Sequence, residues 1–565
     1  DFLVNINKTF GESWSLQANV GGSFTDMRSD AMTVRGPIAD GSKPFEGEQV
    51  GLTNYFAIQN LSTSKTKHMQ EGWREQTQSI FASAEVGYKS TYYLTLTGRN
   101  DWPSQLGGPK SVSKSFFYPS VGLSVVLSEL IPNLNKEYLS YMKIRGSFAS
   151  VGTAFERYIA NPLFAWNTSI GQWSNLTDFP VYDLKPERTN SFEVGMNMRF
   201  LKNFELDVTY YNAKTMNQTF NPELPVGEYA RIYIQTGAVR NQGLELALNY
   251  NNTWKDFTWN TDFNIAFNRS KVLELYGNKE TNYFIQDYES RMGYKIEVGK
   301  PLGQFYGLVY DGIYTTDDFV QQPDGTYMLK DGVPSLKGFD RSQVKPGDAK
   351  YVPQTGEVDE NGNPVWSTND RTVIGSAAPK FTGGMNNTFR YKGFDLSVFM
   401  NFSFGNDVFN MSTQRFIGPY LSNQNSLAIM NNRFTLIDPA TGKEATDLVR
   451  LAELNPGQYG DDIMWNISQN NKTAISDHSS YYIEDGSYLR FSTITLGYTF
   501  PKAWIQNLKL NNARVYCTLN NIATITGYSG YDPEVSAEGG ALTPGIDNSS
   551  YPRSKSWVVG VNLTF

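Results

Sequence analysis

Residues 556–565 at the end of the chain read SWVVGVNLTF. Trp557, Val559, Val561, Leu563 and Phe565 alternate here with mostly small or polar residues. Because the side chains of a β-strand have a period of two, this stretch predicts a strand with one apolar face and one mostly small or polar face.

A chain that ends on such a strand, with an aromatic last residue, is typical of outer-membrane β-barrels, and the composition agrees. The mean hydropathy is −0.43. The longest apolar runs, such as 124–127, fall far short of the roughly 20 residues that a membrane helix needs. A barrel strand needs only about 10 residues and one apolar face. The aromatic content of 14%, with 34 Tyr and 35 Phe, suits such strands and their interfacial girdles.

The charge and cysteine content exclude several other classes. A net charge of −7 without a basic stripe argues against nucleic acid as a partner. The single cysteine, Cys517, rules out an internal disulfide framework. No signal peptide opens the sequence, and Asp1 leads directly into a strand pattern, so we expect the natural N-terminus to lie upstream.

The period-two pattern predicts fifteen strands, most of them joined in pairs by very short turns. The clearest pair places Phe192, Val194, Met196, Met198 and Phe200 on one face, with Glu193, Asn197 and Arg199 on the other. The predicted strands are 1–10, 14–24, 78–88, 91–99, 116–128, 141–151, 191–200, 204–210, 239–251, 257–267, 380–391, 394–405, 489–500, 513–521 and 555–565.

The connections alternate between short turns and long excursions, such as 25–77, 152–189, 268–379 and 406–488. Outer-membrane barrels have short periplasmic turns and long extracellular loops, so the alternation assigns an orientation in which every odd-numbered strand descends to the periplasm. A soluble sandwich or propeller would space its strands more evenly. The pattern therefore predicts an all-β, transmembrane antiparallel β-barrel.

Several motifs in the last third of the chain point to one family. They are DGSYLRF at 485–491, LGYTFP at 496–501, Asn520-Asn521, YSGYDPE at 528–534, Gly545-Ile546-Asp547 and Tyr551-Pro552, with NQGLE at 241–245 and GGMNN at 383–387 upstream. Together they resemble the SusC/RagA-like branch of the TonB-dependent outer-membrane transporters over nearly the whole chain.

The resemblance implies a barrel of 22 strands with a plugged lumen, of which residues 1–565 form the C-terminal portion with the last fifteen strands. The plug domain, the segment that contacts TonB and the early strands are expected upstream. An odd count also argues for further strands, because the first and last of fifteen both descend and cannot pair in an antiparallel way.

The sequence offers little for catalysis, so an enzyme is not expected. His68 and His478 fall in predicted extracellular loops and lie near no nucleophile arranged as a triad. The paired carboxylates Asp317-Asp318 and Asp461-Asp462 suit solvated loops better than acid/base chemistry.

One loop partly resembles a calcium site. Asp359, Asn361 and Asn363 hold alternating positions, as oxygen ligands do in an EF-hand loop, but Pro364 stands where that pattern requires Gly. No cofactor is therefore expected, with Ca²⁺ the one ion that this loop leaves open.

Four loop tryptophans are candidates for substrate binding, namely Trp166, Trp173, Trp366 and Trp465. Aromatic faces stack on sugar rings, while nearby amides and carboxylates bind hydroxyl groups. The alternative is that these side chains hold the loops together.

These observations predict active import of oligosaccharide nutrients across the outer membrane of a Gram-negative cell. By resemblance, a SusD-like lipoprotein caps the extracellular side, TonB-ExbB-ExbD acts through the plug, and two transporter-lipoprotein pairs form a dimer. Oligopeptide import is the alternative within the same architecture. A soluble β-rich carbohydrate-binding protein or glycosidase is the alternative from another class.

Overall fold

The computed structural model describes the chain except for residues 40–49, 53, 63–64, 161–165, 168–171, 174–177, 180–183, 221–230, 233, 236, 276–282, 287–292, 418–424, 468–477 and 536–543. Fifteen long strands form one sheet, as the sequence predicts. They are β1 (Phe2–Phe10), β2 (Trp14–Arg35), β3 (Lys67–Tyr88), β4 (Tyr92–Pro103), β5 (Phe116–Val126), β6 (Leu139–Thr153), β7 (Glu187–Phe200), β8 (Phe204–Met216), β9 (Ala238–Trp254), β10 (Phe257–Glu274), β11 (Phe381–Tyr391), β12 (Phe394–Phe404), β13 (Tyr488–Thr499), β14 (Asn512–Thr526) and β15 (Ser556–Thr564).

Each strand pairs antiparallel with the strand that precedes it, so the sheet order is the chain order. Among the described residues, β1 pairs only with β2 and β15 only with β14. Within the described part of the chain, no direct ladder joins these two edge strands, which run in the same direction. This agrees with the expectation from the odd strand count; the presence of further strands stays a prediction.

The register puts apolar side chains on one continuous face of the sheet. Val194 on β7 lies opposite Gly146 on β6 and Tyr210 on β8, and the same alternation carries from strand to strand. This face is widely exposed: Phe192 is 50% exposed and Trp557 is 73% exposed. An exposed apolar band of this extent is a surface for lipid, as the predicted register requires.

Aromatic rings line this apolar face at the end where the strands are joined by short turns. The members are Trp14, Tyr88, Tyr92, Phe200, Phe204, Tyr250, Trp254, Phe257, Phe389, Phe394, Tyr498 and Phe500. Ring centroids are 4.6 Å apart in the pair Trp14 and Tyr88, and 4.5 Å apart in the pair Phe394 and Tyr498. Such a row is the aromatic girdle of a membrane interface.

The turn Lys392-Gly393 between β11 and β12, which has only two residues, shows why these hairpins are so short. Lys392 has φ 45° and Gly393 has φ 90°, as a two-residue hairpin turn requires. A Cβ at position 393 would lie 2.7 Å from the carbonyl oxygen of Thr499. Only glycine therefore fits the turn without moving the neighbouring strand.

The structure extends several strands beyond their predicted ends, most of all β2 and β3. β2 continues to Arg35 and β3 begins at Lys67, so residues predicted as a loop form a ladder that runs from Trp14↔Tyr88 to Arg35↔Lys67. β1 covers β2 only as far as Gly22, and β4 covers β3 only from Thr77. The prediction that His68 lies in a loop is wrong, because it belongs to this ribbon. Beyond the lipid, the strands no longer need an apolar face, so the alternation of apolar residues is lost there although the backbone pairing continues.

The described residues between β10 and β11 and between β12 and β13 fold together as one loop domain. Its helices are α1 (Met411–Ile417) and α2 (Leu448–Leu454), while α3 (Lys502–Ile505) lies outside it after β13. Its strands of three or more residues are Tyr283–Gln286, Gly293–Ile296, Gln304–Gly307, Tyr310–Ile313, Phe319–Gln321, Tyr327–Leu329, Ala349–Tyr351, Thr372–Ser376, Asp407–Asn410 and Ile483–Asp485. Its apolar core includes Tyr294, Phe305, Phe409 and Tyr482 and reaches Ile546 from the last loop. The two longest excursions are therefore packed against each other at the end opposite the aromatic girdle.

Candidate ligand-binding lumen and vestibule

The face of the sheet opposite the apolar band is polar and forms a hydrogen-bonded wall. Asn19 on β2 donates to Ser83 on β3 over 2.7 Å. Thr95 on β4 donates to Glu85 over 3.1 Å. Side chains of this kind suit the water-filled lumen of a barrel, where polar and apolar faces alternate along every strand.

Arg145 on β6 organises the middle of this wall. Its guanidinium donates to the carboxylate of Asp207 over 2.9 and 3.2 Å and also to the side chains of Asn197 and Thr209. The predicted lumen residues Asn197 and Arg199 share this face, and Arg199 pairs with Glu205 over 3.2 Å. The placement of Glu193, Asn197 and Arg199 away from the apolar band is thus confirmed.

The family-like motifs in the last third of the chain meet where the sheet joins the loops. The guanidinium of Arg490, which is 2% exposed, pairs with Asp532, and Arg553 pairs with Glu534 over 2.7 Å. Tyr528 donates to Asp547 over 2.7 Å. The motifs DGSYLRF, YSGYDPE and Gly-Ile-Asp therefore specify one polar junction rather than separate sites.

One buried and one partly buried carboxylate hold the loop domain together. Asp370 is fully buried and accepts hydrogen bonds from the backbone N–H groups of Gln354, Thr355 and Ser367 over 2.6, 2.6 and 2.7 Å. Burial would raise the pKa of Asp370, but these hydrogen bonds prevail and hold it below its usual value. Burial raises the pKa of Asp407, which accepts only one backbone hydrogen bond from Ser376 and lies near Asp485.

Two of the predicted substrate-binding tryptophans lie inside the loop domain. Trp366 is 4% exposed and Trp465 is 1% exposed. The indole N–H of Trp465 donates to the carbonyl of Ile417 over 3.2 Å, and its ring lies edge-on to Tyr481 at 4.9 Å. Neither ring presents a face to a ligand in this structure; both hold the loops together, which is the alternative that the sequence left open.

Trp166 and Trp173 lie in the loop after β6. Their backbones pair in a hairpin of two residues per strand. Their side chains lie outside the described part of the structure, so their role in substrate binding stays a prediction.

The loop proposed as a calcium site is closed by its own hydrogen bonds. The backbone N–H groups of Asn361 and Asn363 both donate to Asp359 Oδ1 over 2.9 Å. The side-chain oxygen of Asn363 accepts a hydrogen bond from the backbone of Gly332 over 2.9 Å. These oxygens serve the turn, and Pro364 interrupts the ligand pattern, so the residues do not fit a calcium loop of the EF-hand kind.

The carboxylate pair Asp317-Asp318 also has a structural role. Asp318 accepts the backbone N–H of Thr315 over 2.8 Å in a capping box, and Asp317 accepts the hydroxyl of Tyr459 over 2.8 Å. Across the described ranges, no three His, Cys, Asp or Glu side chains are grouped as metal ligands.

Sequence reasoning missed a cavity of about 570 Å³ on the lumen side of the β2–β3 ribbon. Trp73 and Glu75 of β3 form one wall, and residues 155–158 after β6 form the other. A longer reading of the period-two pattern through Glu71, Trp73, Glu75 and Thr77 would have placed these side chains on the lumen face. We name this cavity the vestibule cavity.

In the described part of the chain, no helix is both long enough and apolar enough to span a bilayer, a finding that concerns helices alone. The antiparallel sheet, with one apolar face bordered by an aromatic girdle and one polar face, defines the class: the wall of a transmembrane β-barrel. Residues 2–342 match the family model described as TonB dependent receptor-like, beta-barrel, and the chain belongs to this family of outer-membrane proteins.

Individual relatives agree with this assignment. TonB-dependent receptor P3 of Formosa agariphila is 26% identical over 92% of this chain and 49% of its own length. TonB-dependent receptor SusC of Bacteroides thetaiotaomicron is 25% identical over 86% of this chain and 43% of its own length. The chain therefore spans about half the length of the curated relatives it matches.

Among solved structures, the RagAB peptide importer in its closed-closed state matches with a TM-score of 0.73 and 20% identity. The match covers 100% of this chain and 55% of that one. At this identity the likeness shows a shared fold alone. The family model and the relative named SusC agree with the resemblance that the motifs indicate.

Proposed function

We propose that the whole protein imports hydrophilic oligomers across the outer membrane, driven through TonB. The observation that supports the proposal is that the two faces of one sheet have different chemistry. One face is an apolar band fit for lipid, and the other is a polar wall centred on Arg145. A folded loop domain stands over the end of the wall opposite the aromatic girdle. Such a molecule acts by binding and gating, without a chemical step of its own.

Oligosaccharides are the first substrate class of this proposal. The lumen wall offers amide and hydroxyl side chains such as Asn19, Ser83 and Thr97, which match the hydroxyl groups of a sugar chain. Trp366 and Trp465 are buried and cannot stack on a sugar ring in this structure. In this proposal, Trp166 and Trp173 therefore stack on the sugar rings.

Oligopeptides are the second candidate class, and a specific feature favours them. The vestibule cavity combines aromatic rings, among them Tyr158, with the exposed carboxylates of Glu71 and Glu156, a combination that suits basic or N-terminal groups of peptides. The RagAB structure, which shares the fold, is described as a peptide importer.

The proposal includes partners. A surface lipoprotein of the SusD type docks on the loop domain, two such pairs form a dimer, and TonB-ExbB-ExbD supplies energy through a plug. The packed loop domain supports the first of these, since it gives a partner a preformed surface instead of separate loops.

A growth and uptake experiment tests the function. The gene is deleted and restored in its native host, and uptake of fluorescently labelled oligosaccharide and oligopeptide mixtures is compared with and without a functional TonB. Uptake that needs both the gene and TonB supports the proposal, and the favoured mixture identifies the substrate class. Unchanged uptake of both mixtures in the deletion strain would contradict it. Shortening of the oligomers by the purified protein would indicate an enzyme.

A further inference from the structure

The vestibule cavity lies on the lumen side, where an incoming oligomer would pass. Glu71, Trp73 and Glu75 occupy alternate positions on β3 in phase with Ser79 and Ser83, whose side chains belong to the polar wall. The pairing of β3 with β2 continues without a register shift through this segment, so the phase is kept. The cavity is therefore continuous with the lumen face and does not open toward lipid.

The opposite wall is held rigidly. Phe155, Ile159 and Ala160 are at most 5% exposed and pack with Leu106 and Leu184 in a small apolar core. Between these anchors, residues 156–158 project toward β3, and Tyr158 has φ 69°, an uncommon value for a residue other than glycine. Strained backbone of this kind persists where the surroundings fix it, and it is frequent at ligand sites.

The β3 wall of the cavity already binds a cationic side chain of the same protein. The guanidinium of Arg157 lies over the ring of Trp73, 4.1 Å from the ring centroid, and pairs with the carboxylate of Glu75. The carboxylate side chain of Glu75 is only 12% exposed. Trp73 and Glu75 thus form a site for a planar cation, filled here by a side chain of the same molecule.

Among the described lining residues of the cavity, negative charge exceeds positive charge. Its lining includes the carboxylates of Glu71, Glu75 and Glu156 against the single guanidinium of Arg157. Glu71 and Glu156 are exposed, and among the described residues neither has a cation within ion-pair distance. Gln105 also lines the cavity, and its Oε1 is buried without a hydrogen-bond donor from the described residues.

We infer that the vestibule cavity binds a cationic group of the transported oligomer, a guanidinium or a primary ammonium, between Glu71 and Glu156. The volume of about 570 Å³ fits one such residue with its neighbours. The group can come from an arginine or lysine of a peptide or from an amino sugar of a glycan. The inference rests on the proposed import function and narrows its substrate class.

The test uses the full transporter complex in detergent and two pairs of matched probes. One pair is a glycine pentapeptide with a central arginine and the same peptide with citrulline, which removes the charge and keeps the shape. The other pair is a glucosamine pentamer and its fully N-acetylated form, measured at a pH that keeps the amines protonated. Calorimetry gives the affinity of each probe. We expect the charged member of at least one pair to bind roughly three- to tenfold more tightly at low ionic strength, and the preference to fade as salt is added.

The variant Glu71→Gln with Glu156→Gln should abolish this preference by lowering the affinity for the charged probe to that of its neutral partner. Glu360→Gln, which removes an exposed carboxylate from the loop domain, is the matched control and should retain it. Equal affinity for the charged and neutral probes, or a preference that survives the double substitution, would overturn the inference and leave the import function standing. Failure of all four probes to bind would count against both. The pair that shows the preference identifies peptide or amino sugar as the source.

Discussion

At the scale of single residues, burial determines which ion pairs contribute strongly to the stability of the fold. Arg490 and Asp532 are 2% and 6% exposed, whereas the side chains of Arg199 and Glu205 are 60% and 42% exposed. Removing one partner of a buried pair leaves the other charge buried and uncompensated. In an exposed pair, water solvates the charge that remains.

Arg490→Ala should therefore lower the free energy of unfolding by roughly 3–5 kcal/mol, because Asp532 would remain buried without its partner. Arg199→Ala, the matched control, should cost less than about 1 kcal/mol. Heat-modifiable gel migration across a urea series compares the two. Equal midpoints would show that the junction motifs do not act through this pair.

The buried carboxylate of Asp370 predicts a pH dependence of the loop domain. Its pKa is lower in the folded protein than in the unfolded chain, so its contribution to stability is complete above the usual aspartate pKa of about 4. That contribution is lost as the pH falls further, toward the folded pKa. Fluorescence of the buried Trp366 and Trp465 should report the acid transition.

Asp370→Asn should weaken the loop domain at neutral pH and flatten this acid dependence, since the charged acceptor is gone. Glu360→Gln serves as the control, because Glu360 is exposed and makes no comparable hydrogen bonds. An acid transition that is identical in the wild type and Asp370→Asn would assign it to other groups.

At the scale of elements, the period of two fixes which face of each strand meets lipid. Val194 lies on the apolar face and Glu193 on the polar face of the same strand, one residue apart. The two positions therefore share their depth in the membrane and differ only in their surroundings.

Val194→Arg should destabilise the barrel by about 2–4 kcal/mol, the cost of a charge on the lipid face near the bilayer midplane. Glu193→Arg introduces the same side chain into the lumen and should be tolerated. The amount of folded protein in outer-membrane fractions measures both. Similar losses for the two variants would show that the assigned register is wrong.

At the scale of the whole molecule, the two ends of the sheet are built differently. One end has turns as short as Lys392-Gly393 and an aromatic girdle, and the other carries the loop domain with a core of its own. This asymmetry supports the orientation that loop lengths predict, with the loop domain outside the cell.

A photo-cross-linking amino acid at Val449, which is 70% exposed on the loop domain, should capture the proposed lipoprotein partner. The same probe at Lys392 on the short-turn end should not. Capture from Lys392 alone would invert the orientation of the barrel.

The sequence by itself determined the strands, their number, their order and their faces. These follow from local alternation, since each residue of a strand such as 192–200 shows its face by its own polarity, and short turns leave only one way to pair neighbours. The motifs from Asp485 to Pro552 added the family. The largest errors in the predicted boundaries lie at the loop ends of the strands, as in the ribbon of β2 and β3, because pairing there no longer requires apolar residues.

The tertiary structure decided what the loop residues do. An exposed and a buried tryptophan look the same in a sequence, so the enclosure of Trp366 and Trp465 depends on how two loops far apart in the chain pack together. The vestibule cavity depends likewise on the meeting of Trp73 with Arg157, which are 84 positions apart in the sequence. Long-range packing of this kind leaves no local pattern in the sequence. The candidate site could therefore be identified only from the tertiary structure.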